Sequence, residues 1–112
     1  MEDIVQLIES LGGLHDARIS ALRWMPDTRS LEIEVKDLYS NFDGLPEYEG
    51  PTRAKFVFSD VSKAVLEVDF ADACIYDWTF TKSGTPNCII HFFPGGRITI
   101  ECGQIECVKS PN

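Results

Sequence analysis

The segment Leu31-Glu32-Ile33-Glu34-Val35 decides the fold class of this 112-residue chain. Its apolar and charged side chains alternate strictly, which is typical of a β-strand with one buried and one solvated face. Strands of this kind belong to antiparallel sheets, because both faces of a parallel sheet are usually covered. The segment therefore predicts a strand in an antiparallel sheet.

Runs with strand character lie on both sides of this segment. The run 17–25 predicts the preceding strand, and a bulge near Ala21–Leu22 reconciles two sets of apolar residues that otherwise face opposite sides. In the run 76–81, we expect Tyr76, Trp78 and Phe80 to share one face. Further strand-like runs cover 54–59, 64–70, 90–93, 97–101 and 105–107.

Most links between these runs are short turns, which favour antiparallel neighbours and a meander. About eight strands in one sheet curl strongly, so we expect a sandwich or a partly open barrel. Before the strands, apolar residues at helical spacing predict an amphipathic helix over 2–11, and Gly12-Gly13 ends it. The chain is thus predicted to be mainly β (α+β), a single domain over 1–112 with its N-terminal helix packed on the sheet.

The net charge of −8 is distributed unevenly along the chain. Residues 1–50 contain eleven acidic and four basic side chains, whereas residues 51–112 contain seven and six. Such a surface repels phosphate groups, so nucleic-acid binding and docking on an anionic membrane are not expected. A basic protein partner is instead attracted to the N-terminal half.

No run approaches the roughly 18 apolar residues of a membrane span, and the acidic N-terminus does not resemble a secretory signal, so we expect a cytoplasmic protein.

Residues 37–50, the acidic loop, form the longest interruption between predicted strands. An EF-hand is excluded because placing Gly44 at the glycine position of the calcium loop puts Tyr39 and Gly50 at required ligand positions. Aromatic rings and carboxylates together are instead typical of a surface that recognises a basic partner. The predicted partner-binding residues are Tyr39, Phe42, Asp43, Glu47, Tyr48 and Glu49. In the alternative interpretation, the segment is a solvated connection beneath which Phe42 and Leu45 are tucked.

Two other groups of residues are candidates for a site. A curved sheet can enclose a small-ligand pocket lined by Tyr76, Trp78 and His91. His15, Asp16 and Arg18 form a polar junction between the helix and the first strand, and a metal-dependent hydrolase that uses His15 and Asp16 is an alternative function.

Neither group includes a nearby nucleophile, so we predict binding rather than catalysis. No cofactor and no metal are predicted, and the four cysteines are expected to be buried free thiols because their spacing does not suit a zinc site.

Two stretches resemble parts of known families. The first is Leu14-His15-Asp16-Ala17-Arg18-Ile19 with the strand residues that follow it. The second is the terminal strand pair containing Gly96-Arg97-Ile98-Thr99-Ile100-Glu101. They look like segments of small bacterial β-rich families of unknown function, some of them similar to immunity proteins of contact-dependent or polymorphic toxin systems. The resemblance implies a cytoplasmic, non-catalytic protein that occludes a toxin, and it supplies no catalytic residues. An exposed edge strand also offers a route to a homo-oligomer.

Overall fold

The computed structural model describes residues 2–69, 71, 73–81 and 87–109. These residues form one α-helix, two 3-10 turns and eight strands. The helix α1 spans Glu2–Ser10, and the 3-10 turns span Gly12–Leu14 and Ser40–Phe42. The strands are β1 Ile19–Met25, β2 Ser30–Val35, β3 Ala54–Ser59, β4 Lys63–Glu67, β5 Cys74–Phe80, β6 Cys88–Phe93, β7 Arg97–Glu101 and β8 Gln104–Lys109.

The strands form two antiparallel sheets of four strands each. The first sheet has the order β1-β2-β3-β8, and the second has the order β4-β7-β6-β5. The prediction of a mainly β chain with one N-terminal helix and about eight antiparallel strands is confirmed. An uninterrupted meander does not form, because the short links after β3 and after β7 carry the chain from one sheet to the other. Two sheets can bury their apolar faces against each other, which one open sheet cannot do.

One hydrophobic core lies between the two sheets. The ring of Trp78 on β5 lies 5.1 Å from the ring of Phe56 and 6.5 Å from the ring of Phe58, both on β3. The helix adds Ile4 and Ile8, which are 7% and 2% exposed. An isolated nine-residue helix is marginal in water, so this burial is what holds α1 in place. Among the described residues, no helix is both long and apolar enough to cross a membrane.

A bulge in β1 lies one residue before the predicted position. The register shifts between Ile19 and Ala21, so that Leu22 lies opposite Ile33 of β2. The extra residue brings Ile19 to the same face as Leu22 and Trp24, whereas Ala21 lies opposite Glu34 on the other face.

A second bulge, in β5, was not predicted and overturns one expectation. The register shifts between Ile75 and Asp77, so Ile75 is buried while Tyr76 is 55% exposed. The predicted common face of Tyr76, Trp78 and Phe80 is therefore wrong, because the bulge turns Tyr76 away from Trp78.

The N-terminal segment covers the outer edge of β5. The amide of Asp16 donates to the carbonyl of Ile75 (2.9 Å), and the amide of Ile75 donates to the carbonyl of Ala17 (2.7 Å). Further along the edge, Gly13 has φ +71° and packs so closely that a Cβ atom there would lie 2.7 Å from Oδ1 of Asp77. Glycine is required here by both the backbone angle and the close approach.

Candidate functional site

The acidic loop connects β2 to β3, which are neighbours in the first sheet. Its backbone is folded into successive turns. The amides of Phe42, Leu45 and Tyr48 each donate to the carbonyl three residues earlier, at 2.9 to 3.0 Å. These hydrogen bonds give the loop a defined shape even though it belongs to neither sheet.

Asp37 holds the two ends of the acidic loop together. Its Oδ1 accepts hydrogen bonds from the amides of Tyr39 (3.0 Å) and Thr52 (3.1 Å), and its Oδ2 accepts one from the hydroxyl of Tyr48. This last hydrogen bond, with desolvation and the negative charges of Asp37 and Asp43, raises the pKa of Tyr48 to about 12. Tyr48 therefore stays a hydrogen-bond donor at neutral pH, and Asp37 acts as part of the scaffold.

Apolar contacts fix the loop to the core at one end only. Leu38 is fully buried, and its amide donates to the carbonyl of Thr52 (2.7 Å). Phe42 is partly buried and packs against the core, as the interpretation of a tucked connection expects. Leu45 does not tuck under the loop, since it is 50% exposed.

The loop folds around a cleft of about 540 Å³. We call it the acidic cleft, and its lining is Tyr39, Phe42, Leu45, Glu47, Tyr48, Glu49, Gly50 and Thr52. Five of the six predicted partner-binding residues line it, and the sixth, Asp43, lies close enough to act on the pKa of Tyr48. The sequence prediction missed Leu45 as a lining residue, although its position between Asp43 and Glu47 was an available signal.

The carboxylates of the cleft carry uncompensated charge. Within the described part of the chain, Asp43, Glu47 and Glu49 form no ion pair. Among the described residues, Lys109 places a cation near these rings, since its Nζ lies 5.4 Å from the centre of the Tyr39 ring. This distance is typical of a cation–π contact. The cleft thus combines aromatic faces with negative potential, which is the chemistry that binds an ammonium or guanidinium group.

At the polar junction, the structure brings together His15 and Asp16 of the three predicted residues. His15 Nδ1 lies 3.3 Å from Asp16 Oδ2, and both side chains are well exposed. Arg18 is exposed and makes no ion pair with them in the described structure. Tyr76 meets His15 edge to face at a centroid distance of 5.5 Å. No group of three or more His, Cys, Asp or Glu side chains among the described residues is placed to hold a metal ion.

The predicted pocket of Tyr76, Trp78 and His91 is not brought together. Trp78 is paired with Ile90 and points into the core, whereas His91 is paired with Asp77 on the opposite face of the sheet. His91 Nε2 instead lies 2.8 Å from Oγ1 of Thr79. Ile90 and His91 are successive residues of β6 and face opposite sides of the sheet, so Trp78, the partner of Ile90, lies on the face opposite His91. The bulge in β5 turns Tyr76 away from Trp78.

A second cleft, of about 980 Å³, lies between α1 and the end of β5. Helix residues such as Val5 and Gln6 line one wall, and Trp78 to Thr81 line the other. Nε1 of Trp78 is buried and has no hydrogen-bond partner among the described residues. Because this atom is itself covered, it offers no donor to a ligand in the cleft.

All four cysteines are free thiols. Cys88 is buried, and the other three are partly exposed. Desolvation raises the pKa of the thiols of Cys88, Cys102 and Cys107. A raised pKa lowers the thiolate fraction, so these side chains are poor nucleophiles at neutral pH.

The chain matches no family model, no curated protein and no solved structure. The resemblance to β-rich and immunity-like families therefore stays a prediction.

Proposed function

We propose that this protein is a non-catalytic binding protein whose acidic cleft contacts a basic protein partner. The observation that supports the proposal most strongly is the lining of the cleft. Three aromatic rings and an exposed leucine share one concave surface with two carboxylates. An immunity-like role, in which the partner is a toxin, is one form of this function.

The components of the cleft have distinct roles in this proposal. Glu47, Glu49 and the neighbouring Asp43 attract a basic surface and raise the association rate, since their charges are not neutralised within the described structure. Tyr39 and Tyr48 supply contact area and ring faces for a cation. Leu45 offers an apolar contact for the aliphatic stem of a lysine or arginine side chain.

The loop is also preorganised for binding. Asp37 and the successive turns define its shape before a partner arrives, so less conformational entropy is lost on association. Tyr48 is held by Asp37 through its hydroxyl, and its ring lines the cleft.

An NMR titration tests the proposal with short peptides as probes. Tetrapeptides containing arginine or lysine are compared with the same peptides in which citrulline or norleucine replaces the cation. We expect chemical-shift changes confined to residues 39–52 for the cationic peptides only. A response spread over the surface, or the same response to citrulline, contradicts the proposal.

A triple variant, Asp43→Asn, Glu47→Gln and Glu49→Gln, tests the charges of the cleft. We expect it to weaken binding of the arginine peptide roughly tenfold and to reduce its salt dependence. The matched control is Glu9→Gln, Asp27→Asn and Glu106→Gln, which removes the same charge from exposed positions elsewhere. If both triple variants bind the arginine peptide equally weakly, binding depends on net charge alone, and this result contradicts a role for the acidic cleft.

A further inference from the structure

Strand β4 is an edge strand whose outer side is unpaired among the described residues. It pairs with β7 on one side only, and all five of its residues are exposed. No described segment pairs with its other side. Proteins usually cover, bend or shorten such edges, because the free N–H and C=O groups are a template for another strand. The open edge of β4 is therefore able to accept another strand.

The hydrogen bonds of the second sheet show which groups of β4 are free. The amide of Phe92 on β6 donates to the carbonyl of Gly96 (3.0 Å), directly before β7. Backbone groups of successive residues point to opposite sides of a strand, so Ile98 and Ile100 of β7 also face β6. The residues between them face β4, and their partner in the centre of β4 is Val65. Consequently the backbone groups of Ala64 and Leu66 point outward from the sheet.

We propose that β4 pairs antiparallel with β4 of a second copy of this chain, about a two-fold axis at Val65. In this register Ala64 lies opposite Leu66 of the other copy, and each such pair exchanges two backbone hydrogen bonds. The same register places Lys63 opposite Glu67 of the other copy, twice by symmetry. The charge complementarity of the strand with itself is the reason for naming a second copy as the occupant.

The charges at the two ends of β4 are available for this pairing. Lys63 forms no ion pair within the described structure. Glu67 is 3.7 Å from Arg97, but both side chains are 58% exposed, so this contact is weak. Opposite charges directly across two strands are favourable, whereas like charges in that position are unfavourable.

The same arrangement reduces the solvent exposure of an apolar groove beside β4. Ala64 and Leu66 are paired with Ile100 and Ile98, so they share the inner face of the sheet. Together with Trp24 they line a groove of about 560 Å³, and Trp24 and Leu66 are 49% and 42% exposed. A second β4 strand brings its own Ala64 and Leu66 next to these side chains and removes apolar surface from water.

Sedimentation velocity over a concentration range of ~5 to 500 µM tests the proposal, because an interface of this small size is expected to be weak. We expect a monomer at low concentration and a dimer at high concentration. Ala64→Pro removes one outward N–H, and proline is tolerated at such an edge position, so this variant should stay folded and monomeric. Thermal unfolding followed by circular dichroism checks that each variant is folded.

Charge-reversal variants test the register. Lys63→Glu alone and Glu67→Lys alone should each weaken the dimer at least roughly tenfold, since both place like charges opposite each other. A mixture of the two single variants should form a mixed dimer, and the double variant should recover the association of the unaltered chain. Lys36→Glu and Glu9→Lys are matched controls outside β4 and should leave the dimer unchanged.

The outcomes separate this proposal from its alternatives. A chain that is monomeric at every concentration overturns it, and leaves β4 to an extended segment of another protein. A dimer that is insensitive to Ala64→Pro and to charge reversal also overturns it, because association then uses another surface. Failure of the acidic cleft to bind cationic peptides has no bearing on these results.

Discussion

The two edges of the second sheet are protected to very different degrees. At β5, residues 16–17 hydrogen bond to Ile75, and Gly13 covers Asp77. At β4, every residue is exposed and no described segment pairs with the outer side. The strands themselves do not account for this difference, since both carry apolar side chains on the inner face of the sheet, Ala64 and Leu66 on β4 and Ile75 and Trp78 on β5. The protection of β5 comes from the N-terminal segment, and that segment does not cover β4.

The largest expected difference between the two edges is the loss in the free energy of unfolding when an apolar side chain is shortened. Ile8 belongs to α1, at the start of the N-terminal segment whose later residues cover β5, and is 2% exposed, whereas Leu66 on β4 is 42% exposed. We expect Ile8→Ala to lower the free energy of unfolding by about 2–5 kcal/mol. Leu66→Ala, its counterpart at the open edge, should cost less than about 1 kcal/mol at dilute protein concentration. Urea denaturation of both variants measures the difference, and equal losses would contradict the contrast between the edges.

A smaller effect is expected from the close approach at Gly13. Replacement by Ala forces a side chain into a backbone conformation with φ +71° and against the carboxylate of Asp77, so Gly13→Ala should cost about 1–3 kcal/mol. Gly95 is a matched control, because a Cβ atom there meets open space, and Gly95→Ala should stay within about 0.5 kcal/mol of the unaltered chain. Thermal unfolding compares the two variants. A neutral Gly13→Ala would show that the cover over β5 adapts easily.

The smallest expected effect is a difference in amide exchange rates between the two edges, which is measured on the unaltered chain. The amide of Ile75 donates to Ala17, so it should exchange with solvent deuterium slowly at any protein concentration. The amide of Ala64 points outward from β4, so it should exchange at least about tenfold faster in dilute solution. If β4 pairs with a second copy, exchange at Ala64 and at Leu66 should slow as concentration rises, whereas exchange at Ile75 should stay unchanged. Hydrogen exchange followed by NMR resolves both amides, and slow exchange at Ala64 in dilute solution would show that its edge is already covered.

Local patterns predicted the parts of the fold that depend on neighbouring residues. The alternation over 31–35 identified β2, and the structure buries its apolar residues Leu31, Ile33 and Val35. The two sets of apolar residues in β1 predicted a bulge within one residue of its observed position. The bulge at Tyr76 left no such signal, since an alternating pattern over 76–81 reads as a regular strand. It arises from pairing with His91 and with the N-terminal segment, which are distant in sequence.

The same limit applies to the candidate site. Composition identified the acidic loop and five residues of its cleft, because aromatic and acidic residues are concentrated there. It did not distinguish Asp37 from the other acids, since its role depends on the amide of Thr52 and the hydroxyl of Tyr48. Strand pairing also could not be deduced, because the turns after β3 and β7 look like ordinary hairpin turns although the chain changes sheets there.

The hydrogen bonds of Asp37 that close the acidic loop have a consequence for which of its residues can be substituted. Asp37 joins the start of the acidic loop to Thr52 near its end, so the hydrogen bonds that close the loop are separate from those of the paired strands β2 and β3. Exposed positions such as Asp43 and Glu47 can therefore be exchanged without disturbing the sheet. Substitutions at these positions should therefore change the surface of the loop while the stability of the sheet stays nearly unchanged.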